Sequence, residues 1–178
     1  MELEEKKKKS KLIYKGKIVT LYKDEVICPN GNVATREVIG HCNAVALIAQ
    51  VDGKFIMEKQ YRYPYDEVMI EIPAGKVDEN EDLEKAAIRE LEEETGFLAK
   101  NLTYLGKIYP TVAFCDEVIH IYYASSLVKT NTHPDEDEFV EVYFDSLENI
   151  LNQIKNGIIK DSKTICAFNY YLLNKENL

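Results

Sequence analysis

The sequence lacks any paired cysteine motif. Its four cysteines, Cys28, Cys42, Cys115 and Cys166, never fall in a C-x-x-C spacing, and the three histidines, His41, His120 and His133, are equally dispersed. That scatter argues against a zinc site or a disulfide framework. Long apolar runs are missing too: stretches such as Ala44 to Ala49 fall far short of the roughly 20 residues that span a bilayer. The start, MELEEKKKKS, has no apolar core of the kind a signal peptide needs, so residues 1–11 read as a solvated tail and the expected location is cytoplasmic. Positive charge is in short supply. The 22 Lys and Arg face 31 Asp and Glu, and a formal charge of −9 argues against generic nucleic-acid binding, because phosphates need basic partners. Internal repeats and low-complexity linkers are absent. At 178 residues, the chain is expected to form one compact domain with a substantial core and short extensions.

What the sequence has in excess is negative charge in one place. Gly75 to Phe97, GKVDENEDLEKAAIRELEEETGF, holds nine acidic residues against three basic ones, Lys76, Lys85 and Arg89, and so carries six of the nine net negative charges of the chain. Leu83, Ala86, Ala87 and Leu91 recur at three- and four-residue spacing, which predicts a helix capped by Asn80 or Asp82 and ended by Gly96. At about 100° per residue, Glu90 and Glu94 fall within about 20° of Leu83, on the apolar, inward side. Like charges four apart repel by roughly 0.2–0.5 kcal/mol. Burying unpaired carboxylates costs more still. A bound cation removes both penalties, and oxygen-only ligands suit a hard ion, Mg2+ or Mn2+, rather than zinc. A solvated acidic helix is the alternative. Ile88 falls opposite Leu83, which predicts cover on more than one face of the helix.

The flanking segments predict strands. Residues 12–26 suggest one or two, and the turn Pro29-Asn30-Gly31 sends Asn32 to Ile39 back as a hairpin arm, which either leaves the main body or lies at the edge of its sheet. Val45 to Val51 and Lys54 to Tyr61 join through Asp52-Gly53, a strong hairpin signal. Val68 to Ile72 is a further strand, broken by Pro73-Ala74-Gly75 just before the acidic helix. Leu102 to Tyr109, Val118 to Ser125 and Phe139 to Phe144 complete the strands. Helices are predicted from the capping box Asp145-Ser-Leu-Glu148 to about Lys155, and from Asp161 or Ser162 to about Asn174. This order predicts an α/β (α+β) chain with one mixed sheet flanked by helices.

The acidic stretch resembles the Nudix box. Gly75, Glu81, Arg89-Glu90, Leu91, Glu93-Glu94, Gly96 and the apolar Phe97 match its spacing without a gap. YKGKIVTL at 14–21, PNG at 29–31, REV at 36–38, KQYR at 59–62, EIPAGK at 71–76 and DEDEFVEV at 135–142 further resemble the ADP-ribose pyrophosphatase branch, from about residue 12 to 174. Two segments depart from it. His41-Cys-Asn-Ala-Val45 stands where the branch usually reads H-P-G-A-V, and Thr111 to Glu117 stands where it reads S-P-G-F-x-D-E, so Val112 replaces a marker proline. Ile18 occupies the place of an adenine-stacking aromatic found in some relatives.

The resemblance implies a Nudix fold, with a mixed sheet sandwiched between helices, an N-terminal β-hairpin arm at 12–40 serving dimerisation, and a hydrolase domain at 41–178. It implies that the Ala74 carbonyl, Glu90 and Glu94 hold a divalent metal with Glu93 and Glu138 as further ligands. Arg89 would orient these carboxylates, for instance by pairing with Glu93, and Glu136 would be the general base. Arg62, Lys76 and Glu117 are implied as substrate contacts, with Arg36 reaching across from a partner subunit. The implied activity is Mg2+-dependent hydrolysis of ADP-ribose to AMP and ribose 5-phosphate by a homodimer, with Mn2+ as a second metal. Hydrolysis of another nucleoside diphosphate sugar, or nucleotide sensing without turnover, are the alternatives.

Overall fold

In the computed structural model, residues 3–133 and 139–178 are described. The chain divides into two compact units, Met1–Cys42 with Tyr109–Val118, and Asn43–Ile108 with Ile119–Leu178.

The first unit is an antiparallel three-stranded sheet of β1 (Lys6–Lys15), β2 (Thr20–Ile27) and β3 (Val33–Gly40), in that order. Its strands form a sheet of their own. Gly31, at φ 83°, closes the turn between β2 and β3, and its N–H donates to the Cys28 carbonyl at 2.8 Å. The left-handed backbone there suits a residue without Cβ. One expectation needs correction: Lys6–Ser10 is not a tail but the first half of β1. The reason is charge on the neighbouring strand. Lys7 Nζ lies 3.1 Å from Asp24 and Lys8 Nζ 3.6 Å from Glu25, while the Ser10 hydroxyl donates to Asp24 at 2.5 Å. A run of lysines on an exposed edge strand also discourages edge-to-edge pairing.

The second unit carries a seven-stranded mixed sheet. Its path is β10 (Val140–Asp145), β5 (Lys54–Arg62), β4 (Ala44–Val51), β9 (Ile119–Lys129), β8 (Phe97–Ile108), with β6 (Glu67–Glu71) on β5 and β7 (Ala74–Lys76) on β4. β4 and β9 run parallel, and the other described pairs are antiparallel. β4 is buried on both faces, which is why it reads as an unbroken apolar run. Ala44, Ala46 and Ile48 join Phe168 of α3 (Ser162–Asn174) and Ile150 of α2 (Leu147–Lys155) in one core cluster. Val45, Leu47 and Ala49 join Ala86, Ala87 and Leu91 of α1 (Leu83–Thr95) in the other. The sandwich of helices around a mixed sheet is thus present.

Local signals explain the helix ends. Asp82 caps α1 by accepting from the Glu84 and Lys85 N–H groups at 3.1 and 3.2 Å, and Gly96 ends it in the left-handed region at φ 70°. Ser146 and Asp161 cap α2 and α3 in the same way. The expected break at Pro73-Ala74-Gly75 is only partial, because Ala74–Lys76 pairs with Ala44–Ala46 as β7. β8 starts directly after Gly96, earlier than its sequence suggests, since Phe97–Ala99 pairs with Leu127–Lys129 across the sheet. Ile88 is half-buried and lines an open hollow of about 580 Å3 with Lys85, Arg89, Glu92, Glu93 and His133. It is not in either core cluster.

Candidate active site

β6, the Ile72-Pro73 link, β7 and α1 follow one another in the chain, and their packing puts the loop backbone against the carboxylates of the helix. The Ala74 N–H donates to Glu94 Oε2 at 3.0 Å, and the Pro73 carbonyl accepts from Leu47 N–H of β4 at 2.9 Å. Glu94 is only 5% exposed, so the inward orientation read from the helical angles is realised. The Glu90 carboxylate occupies the space beside Gly75 where any other residue would carry its Cβ. Gly75 is therefore required by close approach.

Arg89 organises the other side. Its Nε and Nη2 hold the two oxygens of Glu81, each at 2.8 Å; Nη1 donates to Glu90 at 2.9 Å and Glu93 at 3.0 Å; and Nη2 also reaches the Lys76 carbonyl at 3.1 Å. One guanidinium thus ties three carboxylates and the β7 backbone together, a use that suits the fixed fork of arginine and not lysine. The Arg89 pair pulls the Glu81 pKa from 4.5 down to about 2, helped by the backbone N–H of Asp78. A depressed carboxylate contributes stability above its unfolded pKa and loses it as pH falls through the folded one. Wild type is therefore expected to exceed Glu81→Gln in unfolding free energy above about pH 4.5, with the gap closing toward about pH 2. Denaturant melts of both proteins across that range would measure this, and a gap independent of pH would refute it.

An open cleft of about 690 Å3 adjoins this cluster, lined by Glu94 together with Lys59, Tyr61, Val68, Phe139 and Glu141 among others. Tyr61 is held in place by donating to Asp66 at 2.5 Å, and Lys59 pairs with Glu141 at 2.7 Å. The cleft thus combines a buried carboxylate, a fixed aromatic ring and a cation. These are the elements of a small-molecule site.

The remaining sequence-predicted residues are not all gathered here. Arg62 uses Nε and Nη2 in a bidentate pair with Glu71 at 2.7 and 2.8 Å, so two of its nitrogens are committed inside the protein. Glu71 is 3% exposed and lies directly opposite buried Glu58 in the β5–β6 register. Facing carboxylates in a sheet repel, and two cations offset this at Glu71, Arg62 and Lys163. Burial pushes the Glu71 carboxyl up, yet these cations outweigh it and hold it below the ordinary value. Lys76 is exposed on β7. Arg36 and Glu117 belong to the first unit: Arg36 forms a two-nitrogen pair with Glu5, and Glu117 lies 3.5 Å from His41 Nδ1. Glu136 and Glu138 lie outside the described residues.

Sequence reasoning gave no role to Glu81, Glu71, Lys163 or Thr164. A signal existed for Glu71, a lone carboxylate in the apolar run Val68 to Ile72. None existed for the pairing of Lys163 with Glu71 or of Thr164 with Ile72, each 92 positions apart.

The donor set fits a hard divalent cation. Glu90, Glu93 and Glu94 offer only oxygen, Glu94 is buried, and a glycine leaves room for the Glu90 carboxylate against the loop. Among the described residues, no three His, Cys, Asp or Glu side chains converge into a complete ligand cluster. Arg89 stands between Glu90 and Glu93 and supplies their counter-charge.

Comparison with known proteins agrees with this geometry. A family model described as NUDIX domain matches residues 41–168, and one described as nucleoside diphosphate sugar hydrolase N-terminal domain matches residues 5–39. The chain is 42% identical over 176 residues to the ADP-ribose pyrophosphatase of Bacillus subtilis (strain 168), covering 97% of this chain and 95% of that one. It is 41% identical over 175 residues, with the same coverage, to the methanol dehydrogenase activator of Bacillus methanolicus. The fold superposes on a crystal structure of ADP compounds hydrolase with a TM-score of 0.84 at 21% identity, covering 98% of this chain and 95% of the other. An unbroken box, a glycine that makes room for the Glu90 carboxylate, and a domain match over residues 41–168 lead to one conclusion: the chain belongs to the Nudix family.

Proposed function

We propose that this protein is a pyrophosphohydrolase that splits ADP-ribose with water into AMP and ribose 5-phosphate, using Mg2+ or Mn2+. The observation that carries the reading is the buried Glu94 carboxylate holding the Ala74 backbone beside Glu90, with Arg89 bracing Glu90 and Glu93. The similarity to an ADP-ribose pyrophosphatase over almost the whole chain supports the choice of substrate.

In this reading the Ala74 carbonyl, Glu90, Glu93 and Glu94 hold the ion, with Glu138 as a further ligand. When bound, a divalent ion neutralises the diphosphate, stabilises charge on its oxygens and makes water a better nucleophile. The protein's own groups do the rest. Arg89 fixes the rotamers of Glu90 and Glu93, so that little reorganisation is left for the reaction itself. Glu136 takes the proton from the attacking water. Lys76 and Arg62, the latter braced by Glu71, face the substrate's charge, and Glu117 and Arg36, the latter from the second subunit of a homodimer, are further proposed substrate contacts. Four free cysteines suit a reducing, cytoplasmic setting.

A second reading keeps the chemistry and changes the substrate to another nucleoside diphosphate sugar. It is favoured by Val112, 82% exposed, in place of a marker proline. Nucleotide sensing without turnover is disfavoured, because a sensor has no use for the full carboxylate set.

The test is purified protein with Mg2+ and a panel of ADP-ribose, ADP-glucose, FAD, NADH and diadenosine polyphosphates, with products separated by chromatography. ADP-ribose is expected to give the highest kcat/KM, with AMP as a product. Preference for a different sugar nucleotide moves the assignment to the second reading, and no hydrolysis at all removes both. Sedimentation of the same preparation at micromolar concentration is expected to show a dimer, and a monomer would take Arg36 out of the site.

A further inference from the structure

We infer that Thr164, in the first turn of α3, is a positioning residue for the metal-binding loop: its hydroxyl anchors the Ile72 amide and so sets where the Ala74 carbonyl points. The inference rests on the reading that Ala74, Glu90 and Glu94 hold the ion.

Three consecutive residues of the link are held from three different elements. The Ile72 N–H donates to Thr164 Oγ1 of α3 at 3.0 Å, the Pro73 carbonyl accepts from Leu47 of β4 at 2.9 Å, and the Ala74 N–H donates to Glu94 of α1 at 3.0 Å. Proline adds its own restriction on φ. The Leu47 bond belongs to the sheet edge where β7 joins β4, and the Glu94 bond involves the site's own carboxylate. The Thr164 bond alone reaches the loop from outside both.

The chemistry of the hydroxyl determines its direction. Thr164 is 0% exposed, and its Oγ1 lies 2.6 Å from Asp161 Oδ2. A carboxylate only accepts, so the hydroxyl proton points to Asp161, leaving a lone pair toward the Ile72 N–H. Asp161 is the N-cap of α3, accepting the Thr164 N–H at 2.9 Å, and Lys163 Nζ lies 3.1 Å from the same carboxylate. Lys163 also binds Glu71, the residue before Ile72. The start of α3 therefore grips two successive residues of the approach to the site, one through a side chain and one through the backbone. Capping does not account for the arrangement. Asp161 already caps the helix, and a β-branched residue is a poorer helix former than alanine or leucine.

The test compares Thr164→Val, nearly isosteric but without an acceptor, with Thr164→Ser, which keeps the hydroxyl. Three quantities are read: hydrogen exchange of the Ile72 amide by NMR in metal-free protein, Mn2+ affinity by electron paramagnetic resonance, and kcat and KM with whichever panel substrate wild type hydrolyses. Thr164→Val is expected to speed Ile72 exchange, weaken Mn2+ binding about tenfold and lower kcat about tenfold with KM within about twofold, the scale of one buried hydrogen bond. Thr164→Ser is expected to match wild type within about twofold in all three. Unchanged Mn2+ affinity and kcat in folded Thr164→Val would overturn the inference, as would a serine variant that behaves like valine, since packing of the methyl would then be the cause. If Thr164→Val does not fold, Thr164→Ala, which removes the same acceptor without added bulk, is read by the same criteria. Exchange and Mn2+ affinity need no substrate, so a wild type that hydrolyses nothing would defeat the functional reading and leave this inference standing.

Discussion

Glu94→Gln is expected to lower kcat/KM by at least about 1,000-fold, roughly 4 kcal/mol of transition-state stabilisation. The substitution isolates charge from architecture. Glu94 Oε2 accepts the Ala74 N–H, and the glutamine oxygen can accept the same bond, so the loop stays anchored. What is lost is one negative charge in a buried position, where the proposed hard divalent cation would gain most from a full charge. The thermal midpoint is therefore expected to stay near that of wild type or rise, because a buried carboxylate is replaced by a neutral isostere. Steady-state kinetics alongside thermal melts measure both arms. Full activity in the variant would refute the assignment of Glu94 to the metal site.

Gly75→Ala is the second large effect, and it works by displacement. An added Cβ would stand under 3.0 Å from the carboxyl carbon and both oxygens of Glu90, closer than real Cβ atoms come to any neighbour. The obstructed group is the end of a flexible side chain, so the fold can yield by swinging Glu90 aside, at a stability cost near the lower end of the roughly 1–3 kcal/mol typical of overpacking. The site cannot yield so cheaply. Moving a reacting constellation by about 1 Å costs on the order of 100-fold in rate, and that is the expected fall in kcat. The displaced carboxylate also leaves its 2.9 Å contact with Arg89. A variant with unchanged kcat, or one that simply unfolds, would show that Gly75 is needed for something other than room for Glu90.

These two predictions were accessible to different degrees from the chain alone. The inward side of α1 follows from angular arithmetic on Leu83, Glu90 and Glu94, and its ends follow from Asp82 and Gly96, because period and capping are relations between near neighbours. That Val45 to Val51 is a strand was likewise legible, but its alternation between two cores was shown only by the structure. The need for glycine at 75 could be read only as a matched motif position; the clash with Glu90 needs the loop folded back onto the helix. Lys6–Ser10 looked like a tail because four lysines in succession have no local reason to be a strand, and their reason, Asp24 and Glu25, lies on the partner strand. Arg62 looked free to meet substrate because nothing nearby in sequence announces that Glu71 holds it.

By itself, the sequence determined the acidic helix, the strand order that delivers Pro73 and Gly75 to its start, and the concentration of carboxylates, oxygen-only donors, on that helix. These rest on periodicity, caps and residue type, which act over a few residues. Only the tertiary structure decided which groups hold those parts in place. Arg89 bridging Glu81, Glu90 and Glu93 is a choice among carboxylates that the sequence offers in excess. Thr164 on Ile72 and Lys163 on Glu71 join segments 92 residues apart. Such pairs form only when the sheet closes and α3 docks on it, and a buried hydroxyl or ammonium then takes whichever partner the packing leaves within reach.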